Sequence, residues 1–157
     1  MSPQEQSPFV LHPAMASRYV GYLLGRLGLF AAARFDAQME AVGLDRREWG
    51  VLNALDAEQG FMTQQQLGRS IAIHPSTMVA TIDALEAAGL VRRGPHPSDR
   101  RAHAVSLTDV GRETLQRARR LAGESQRELM SPLTAEEQAT LHQLLLKLAE
   151  GVAERPA

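Results

Sequence analysis

The sequence predicts a mainly α protein with one small antiparallel hairpin, and three observations support this fold class. First, 44% of its 157 residues are hydrophobic but only 4% are aromatic, which is typical of helices packed through aliphatic side chains. Second, capping boxes recur just before segments whose apolar residues have helical spacing. Third, two short strand-like runs flank a polar turn. A chain of this length forms one compact domain or a tightly fused pair.

The first long element is predicted as a helix from Met15 to Val42, after a flexible arm at residues 1–14. Apolar side chains lie on more than one face of this helix, which favours burial on two sides. Gly43 is a suitable residue to follow its C-terminus. Asp45 with Glu48 forms a capping box and predicts the start of a second helix.

Two short helices joined by a turn of a few residues are predicted next. Thr63 with Gln66 caps the first, "TQQQLGRS", and Pro75 occupies the first turn of the second. The second helix carries a stripe of apolar residues at helical spacing, which predicts its buried side. These residues are Met78, Ile82 and Leu85.

A hairpin and two long helices complete the chain. "LVRRG" and "HAVSL" are predicted as strands on either side of a polar tip. Thr108 is predicted to cap a long helix that Pro132 ends, and Thr134 with Glu137 to cap the last helix. Four leucines of the last helix share one face: Leu141, Leu144, Leu145 and Leu148.

This order of elements is that of a winged helix-turn-helix. In such a fold the second helix of the pair enters the major groove of DNA, and the hairpin, or wing, lies along the neighbouring backbone. The net charge of the chain is only −1, but four arginines and a single acid lie between Arg92 and Arg101. Such a local positive patch directs DNA to one side of the molecule. The tip arginines are expected to meet phosphates or the minor groove.

The stretch "LVRRGPHPSDRRAHAVSLTDVG" resembles the wing signature of the MarR family of transcription factors. The matching positions are Asp99, Arg101, Leu107, Thr108 and Gly111. "LEAAGLVRR" and "GLDRREWGVLNAL" are similar to two further segments of that family, and the resemblance extends from about Met15 to Val152.

The resemblance implies a single domain at residues 15–153. Within it, residues 45–107 would form the winged helix-turn-helix lobe, and residues 15–44 and 108–153 the dimerisation helices. It also implies an obligate homodimer and a small-molecule pocket between the dimer interface and the lobe. By the same resemblance Tyr19, Arg26 and Trp49 line this pocket, where Arg26 would meet the carboxylate or phenol of a small aromatic or acidic effector. The alternative is that Tyr19 and Trp49 are core aromatics and that Arg26 is part of an ion pair at the dimer interface.

Twelve side chains of the helix-turn-helix and the wing tip are predicted to contact DNA. They are Gln64, Gln65, Arg69, His74, Pro75, Ser76, Thr77, Val79, Ala80, Asp99, Arg100 and Arg101. The outward face of the second helix also includes Asp83, but no Arg, Lys, Asn or Gln for bidentate contacts to bases. Direct readout would then depend on two hydroxyls and on apolar contacts, so shape and backbone contacts would contribute more than usual. His74 is interpreted as an atypical helix cap or a phosphate contact.

The sequence also argues against several classes of function. The absence of cysteine excludes disulfides, thiolate zinc sites and thiol redox sensing. His96, Asp99 and His103 are interpreted as solvated wing residues rather than metal ligands, and no cofactor is expected. No signal peptide or membrane span is evident, which predicts a cytoplasmic protein without a membrane partner. No constellation resembles a nucleophile with its base, so an enzyme is not expected.

The predicted function is that of a homodimeric, sequence-specific transcriptional regulator, in this family most often a repressor. It would bind a pseudo-palindromic double-stranded operator with half-sites about one helical turn apart. Two alternatives remain open at this point. The first is a winged-helix module that binds an acidic protein, and the second is an architectural DNA-binding dimer without an effector.

Overall fold

The computed structural model describes residues 9–58, 61–95 and 103–154. The chain forms two compact units, Met1–Ala122 and Gly123–Ala157. The elements of the described residues are, in chain order, α1 (Pro13–Ala16), α2 (Val20–Glu40), α3 (Arg46–Ala57), α4 (Gln64–Ser70), α5 (Pro75–Ala87), β1 (Val91–Pro95), β2 (His103–Leu107), α6 (Asp109–Met130) and α7 (Ala135–Ala153). None of the helices in these ranges has the length and apolar character needed to cross a bilayer.

The N-terminal helix differs from the sequence prediction in its start. Tyr19 has an extended backbone (φ −125°, ψ 104°), so α1 cannot continue into α2. Gly43, after the end of α2, has a φ of +73°, a left-handed conformation that glycine adopts without steric cost. All of α2 is described, and in the single chain only Met39 is buried, because the core contacts only the C-terminal end of the helix. Burial of α2 on two sides therefore stays a prediction for the homodimer.

The core of the first unit is built from one side of each of the helices α2 to α6 and from the inner side chains of the hairpin. Its largest fully buried residues are Met39, Val51, Leu52, Leu55, Leu67, Met78, Ile82, Leu85, Val91, Val105 and Leu115. Each such side chain contributes about 1.5–3 kcal/mol relative to full exposure. The predicted buried stripe of α5 is therefore confirmed. So are the three predicted capping boxes, at the starts of α3, α4 and α7.

The hairpin has the predicted strands to within one residue. β1 and β2 pair antiparallel, with Val91 opposite Leu107 and Pro95 opposite His103. On the other edge of β2, Met62 forms an isolated bridge to Val105, with backbone hydrogen bonds of 3.0 and 2.8 Å. Because Met62 lies just before α4, this bridge ties the start of the helix-turn-helix to the hairpin.

The start of α6 packs directly against the backbone that leads into β1. Thr108 accepts a hydrogen bond from the Gly111 amide at 2.9 Å, as a helix cap, and its hydroxyl donates to the Gly89 carbonyl at 2.6 Å. The Thr108 amide donates to the Leu90 carbonyl at 3.1 Å. A Cβ built on Gly111 would lie only 1.9 Å from that same carbonyl oxygen. The close approach therefore requires glycine at position 111.

A polar contact connects α6 to α3 within the first unit. The Arg119 guanidinium donates to the Asn53 amide oxygen at 2.9 and 3.0 Å and to the Asp56 carboxylate at 2.6 Å. The Asn53 side-chain amide in turn donates to the Trp49 carbonyl at 2.8 Å. One arginine thus orients α6 on α3 through two side chains that lie nearly one helical turn apart.

The second unit consists of the end of α6, a turn and α7. The Gln138 side-chain amide donates to the Met130 carbonyl at 3.1 Å and the Leu133 carbonyl at 2.9 Å, which satisfies backbone groups released where α6 ends. No residue of α7, all of which is described, is buried. Large apolar side chains of α7 are more than half exposed: Leu144 (55%), Leu146 (51%), Leu148 (52%) and Val152 (67%).

Candidate nucleic-acid interface

The helix pair α4 and α5 forms a helix-turn-helix whose inner side is packed and whose outer side is open. In the turn, Ala72 has a φ of +52°, which an L side chain adopts only at a steric cost. Pro75 occupies the first turn of α5, where its missing N–H removes no helical hydrogen bond. Thr81, on the buried side, satisfies its hydroxyl by donating to the Thr77 carbonyl at 2.9 Å.

The predicted DNA-contacting residues of α4 and α5 are largely brought together. A groove of about 520 Å³ between the two helices is lined by Gln64, Gln65, Gly68, Arg69, Ile73, Pro75, Met78 and Val79. Ser76 and Ala80 are exposed beside it, and Thr77 is half-buried. Val79 is 43% exposed, so a methyl-bearing surface is open to a partner at this end of α5.

His74 caps α5, the second helix of the pair, as one of its two predicted roles requires. Its backbone is extended (φ −61°, ψ 141°), and its Nδ1 accepts from the Ser76 amide at 3.4 Å. The same Nδ1 lies 2.9 Å from the Ser76 hydroxyl oxygen. The imidazole therefore satisfies an otherwise unpaired N–H of the first turn, which serine or aspartate usually does.

Arg93 joins α5 to the hairpin. Its guanidinium forms ion pairs with Asp83 and Glu86 of α5, and its backbone amide donates to the Glu86 carboxylate at 3.0 Å. That backbone hydrogen bond, and then the guanidinium, hold the pKa of Glu86 below its usual value. The sequence analysis placed Arg93 in the positive patch and Asp83 on the outward face of α5. In the structure the two residues instead form an ion pair with each other.

The sequence contained a signal for this contact that the prediction did not use. Asp83 and Glu86 are three residues apart and therefore share a helix face. Arg93 follows seven residues after Glu86, on the first strand. An acidic pair near the end of a helix, followed by a basic residue on the adjoining strand, favours such a contact.

The wing is described only up to its tip. Arg92 is exposed on β1, and its Nε donates across the hairpin to the Ser106 hydroxyl at 3.2 Å. The predicted contacts of Asp99, Arg100 and Arg101 lie outside the described residues, and so do His96 and the turn itself. Among the residues that are described, no group of three or more His, Cys, Asp or Glu side chains is arranged to hold a metal ion.

The three predicted pocket residues occupy separate places. Tyr19 is 53% exposed before α2, and Trp49 packs edge-on against Phe35 at 5.7 Å beside the core. Arg26 lines a cavity of about 370 Å³ whose wall includes neither of the other two. That wall is formed by Phe9, Arg26, Leu29, Phe30, Ala33, Arg34 and Ala37.

The Arg26 cavity has a polar group without a partner. Arg26 donates to the Val10 carbonyl at 3.2 Å through one terminal nitrogen and lies 5.9 Å from the centre of the Phe9 ring. Its Nε is buried without a hydrogen-bond partner among the described residues. Sequence reasoning did not include Phe9, because the arm that carries it has no helical periodicity.

Comparison with known proteins gives a consistent family. Residues 42–102 match the model of the MarR family. The fold is similar to that of the transcriptional repressor CouR bound to a 23-mer DNA duplex, with 33% identity and a TM-score of 0.75 over 89% of this chain and 99% of that one. It is also similar to a probable transcriptional regulator from Pseudomonas aeruginosa, with 33% identity and a TM-score of 0.70 over 85% and 98%.

Wild-type MarR from E. coli in its apo form is 25% identical, with a TM-score of 0.70 over 83% of this chain and 96% of that one. These relatives are matched over almost their whole length, and the helix-turn-helix and most of the wing lie within the matched family segment. The chain therefore belongs to the MarR family of winged-helix, DNA-binding transcriptional regulators.

Proposed function

We propose that this protein is a homodimeric, ligand-responsive repressor that binds a pseudo-palindromic operator. The observation that carries the proposal is the helix-turn-helix itself. The inner side of α5 is buried in the core, while its N-terminal half is open beside the groove shared with α4. A helix held in this way can enter the major groove. The assignment is supported by the similarity to the repressor CouR, which is 33% identical to this chain and whose structure is bound to a DNA duplex.

Most of the affinity is proposed to come from contacts to phosphates and from DNA shape. The open face of α5 carries small and apolar side chains, whereas Gln64, Gln65 and Arg69 of α4 line the groove beside it. Arg69 is exposed and can meet a phosphate, and Arg100 and Arg101 at the wing tip are proposed to do the same or to enter the minor groove. Such binding falls steeply as salt concentration rises.

The homodimer is proposed from apolar surface that the single chain leaves uncovered. Within the second unit α7 exposes several leucines, and within the first unit α2 exposes Leu24 (41%), Leu27 (43%) and Leu29 (67%). Contiguous apolar surface of this kind marks an interface in soluble proteins. Residues 15–44 and 108–153 are therefore proposed as the dimerisation helices. Two joined lobes bind two half-sites far more tightly than one lobe binds one.

The effector is proposed to be a small aromatic or acidic molecule bound at the Arg26 cavity. A carboxylate there would satisfy the buried Nε of Arg26, and the Phe9 and Phe30 rings would pack on an apolar body. We expect benzoate, as a probe, to raise the Tm of the protein but not of the Arg26→Ala variant. Arg18→Ala, an exposed change just before α2, serves as the control and should retain the shift. A shift that survives Arg26→Ala would place the site elsewhere.

We propose a regulatory role without catalysis, because the relatives at 33% identity are a repressor and a probable transcriptional regulator. Since the proposed target is DNA, we also propose that the protein acts in the cytoplasm.

The test is fluorescence anisotropy over a series of salt concentrations. The probe is the DNA directly upstream of the protein's own gene, and a scrambled duplex of equal length is the control. We expect nanomolar binding with a preference of roughly a thousandfold for the upstream DNA. Equal binding to both duplexes that is lost as salt rises, and that recurs with duplexes selected from genomic DNA, would instead favour the protein-interaction module, which predicts only non-specific affinity for DNA. DNA binding that no small molecule alters would favour the architectural protein without an effector.

A matched pair of variants tests whether α5 makes the contact. Ala80→Glu places a negative charge on the open N-terminal half of α5 and should weaken binding at least tenfold, since it faces the phosphates and bases. Ala87→Glu introduces the same charge on nearly the same side of the helix, about 10 Å further along its axis. It should weaken binding much less. Equal effects of the two variants would contradict insertion of the N-terminal half.

A further inference from the structure

The serine at the second position of α5 has its hydroxyl in contact with the residue that caps the helix. Ser76 is exposed at the open end of α5, and its hydroxyl oxygen lies 2.9 Å from His74 Nδ1. The backbone amide of Ser76 also points at this nitrogen, at 3.4 Å. Both contacts involve the nitrogen that caps α5, so they form as soon as the helix does.

The two contacts together assign a direction to the hydroxyl contact. A backbone amide can only donate, so His74 Nδ1 accepts from the Ser76 N–H. The Ser76 hydroxyl, which lies on the same accepting nitrogen, then donates its hydrogen to it. Only the lone pairs of the Ser76 oxygen remain available to an incoming partner.

We propose that Ser76 contacts DNA as a hydrogen-bond acceptor only, and that it selects a base whose exocyclic amino group faces the major groove, adenine or cytosine. The inference rests on the proposed function, in which this end of α5 enters the major groove. There adenine presents N6–H₂ and cytosine N4–H₂ as donors. Guanine presents O6 and N7, and thymine O4, all of which are acceptors that would face the serine lone pairs.

His74 is the residue that makes this serine selective. A free serine hydroxyl rotates and can donate or accept, so it contacts any base and discriminates weakly. The contact with His74 removes that freedom. One turn further along α5, Val79 and Ala80 are exposed but apolar, and they have no side-chain hydrogen bond to offer. Ser76 is the specificity-determining residue of this face, and His74 is its positioning residue.

The experiment begins with a duplex selected by the wild-type homodimer from a randomised library. Every single base-pair substitution of one half-site is then measured by fluorescence anisotropy at fixed salt. We expect one position at which adenine or cytosine is favoured over guanine or thymine by about fivefold to twentyfold. Ser76→Ala should reduce that preference to below about twofold while preserving the preferences elsewhere. Ser70→Ala removes an exposed hydroxyl at the end of α4 that is not among the predicted DNA contacts, and it should retain the preference.

Changes at position 74 separate this role from simple capping. His74→Ala frees the Ser76 hydroxyl to rotate, so the preference at that position should fall below about twofold. His74→Asn supplies an amide oxygen that can accept from both the amide and the hydroxyl of Ser76, so it should restore the preference. Thermal unfolding of each variant controls for the loss of the cap. Where the favoured base is adenine, it can be replaced by purine, which lacks only the 6-amino group. The duplex with purine at that position should bind as weakly as the duplex with guanine there.

The remaining outcomes overturn the inference. A preference for guanine or thymine that depends on Ser76 would mean that the hydroxyl donates. If the Ser76→Ala protein shows the same base preferences as the wild-type protein at every position, the role of Ser76 is refuted while the proposed function stands. Uniform binding of the wild-type protein to all duplexes would refute both.

Discussion

The contact between α6 and the backbone before β1 gives a sharp prediction for Gly111. In Gly111→Ala the new Cβ would lie 1.9 Å from the Leu90 carbonyl oxygen and 2.9 Å from its carbon. Ordinary contacts begin near 3.4 Å, so the two segments must separate by about 1.5 Å. The neighbouring atom is backbone, which cannot turn aside as a flexible side chain would. The start of α6 must therefore move away from the hairpin.

The expected cost combines three effects. Forcing an extra methyl into packed backbone costs about 3 kcal/mol, the upper end for overpacking. The same movement stretches the 3.1 Å hydrogen bond from the Thr108 amide to the Leu90 carbonyl, which costs about 1 kcal/mol. Alanine regains about 1 kcal/mol through its higher helix propensity. The free energy of unfolding should thus fall by about 3 kcal/mol, which lowers the Tm by roughly 6–12 °C.

The assay is thermal and urea unfolding followed by circular dichroism at one fixed protomer concentration, because dimers unfold in a concentration-dependent way. Gly123→Ala is the matched control in the same helix, where the nearest atom to the new Cβ is the end of the Arg127 side chain at 3.9 Å. That variant should be neutral or up to about 1 kcal/mol more stable. A Gly111→Ala protein within about 0.5 kcal/mol of wild type would refute the packing argument.

Three further predictions concern the turn, the hairpin and the wing. Ala72→Gly should raise the free energy of unfolding by about 0.5 kcal/mol, because relief of the left-handed alanine exceeds the added chain entropy; a loss in urea unfolding would contradict this. The pKa of Glu86 is lowered by the Arg93 amide, so its stabilisation is present above the ordinary value of 4.5 and is lost as pH falls below it. Glu86→Gln should therefore lose less stability than wild type between pH 6 and 3, and equal losses would remove Glu86 as the cause. Arg101→Ala should weaken DNA binding about tenfold in anisotropy without altering the dimer in gel filtration, and unchanged affinity would reject the wing contact.

The elements that could be predicted from the sequence depend on residues close together in the chain. Thr63 caps α4 through Gln66, three residues away, and Pro75 begins α5 because of its own ring geometry. The same holds for the alternation of the strands and the apolar stripe of α5. The family could be predicted as well, since the wing signature is a short, continuous segment of the sequence.

The parts that the sequence did not reveal depend on residues that meet only through folding. The extended backbone at Tyr19 interrupts a segment whose composition favours an unbroken helix. Arg26 and Trp49 share a polar-edged character but lie in different surroundings, one beside a cavity with Phe9 and the other against the core. Composition and spacing carry no information about which side of a helix a distant arm will cover.

For this protein, sequence by itself determined the order and type of the elements, the helix caps and the winged helix-turn-helix class, because these follow from interactions within a few residues. Tertiary structure alone decided which charges are free. It engaged Arg93 with α5 and left Arg69 exposed. It also decided that Gly111 must lack a side chain. The physical reason is that ion pairing, exposure and close backbone approach depend on distances between atoms, and only the folded chain establishes those distances.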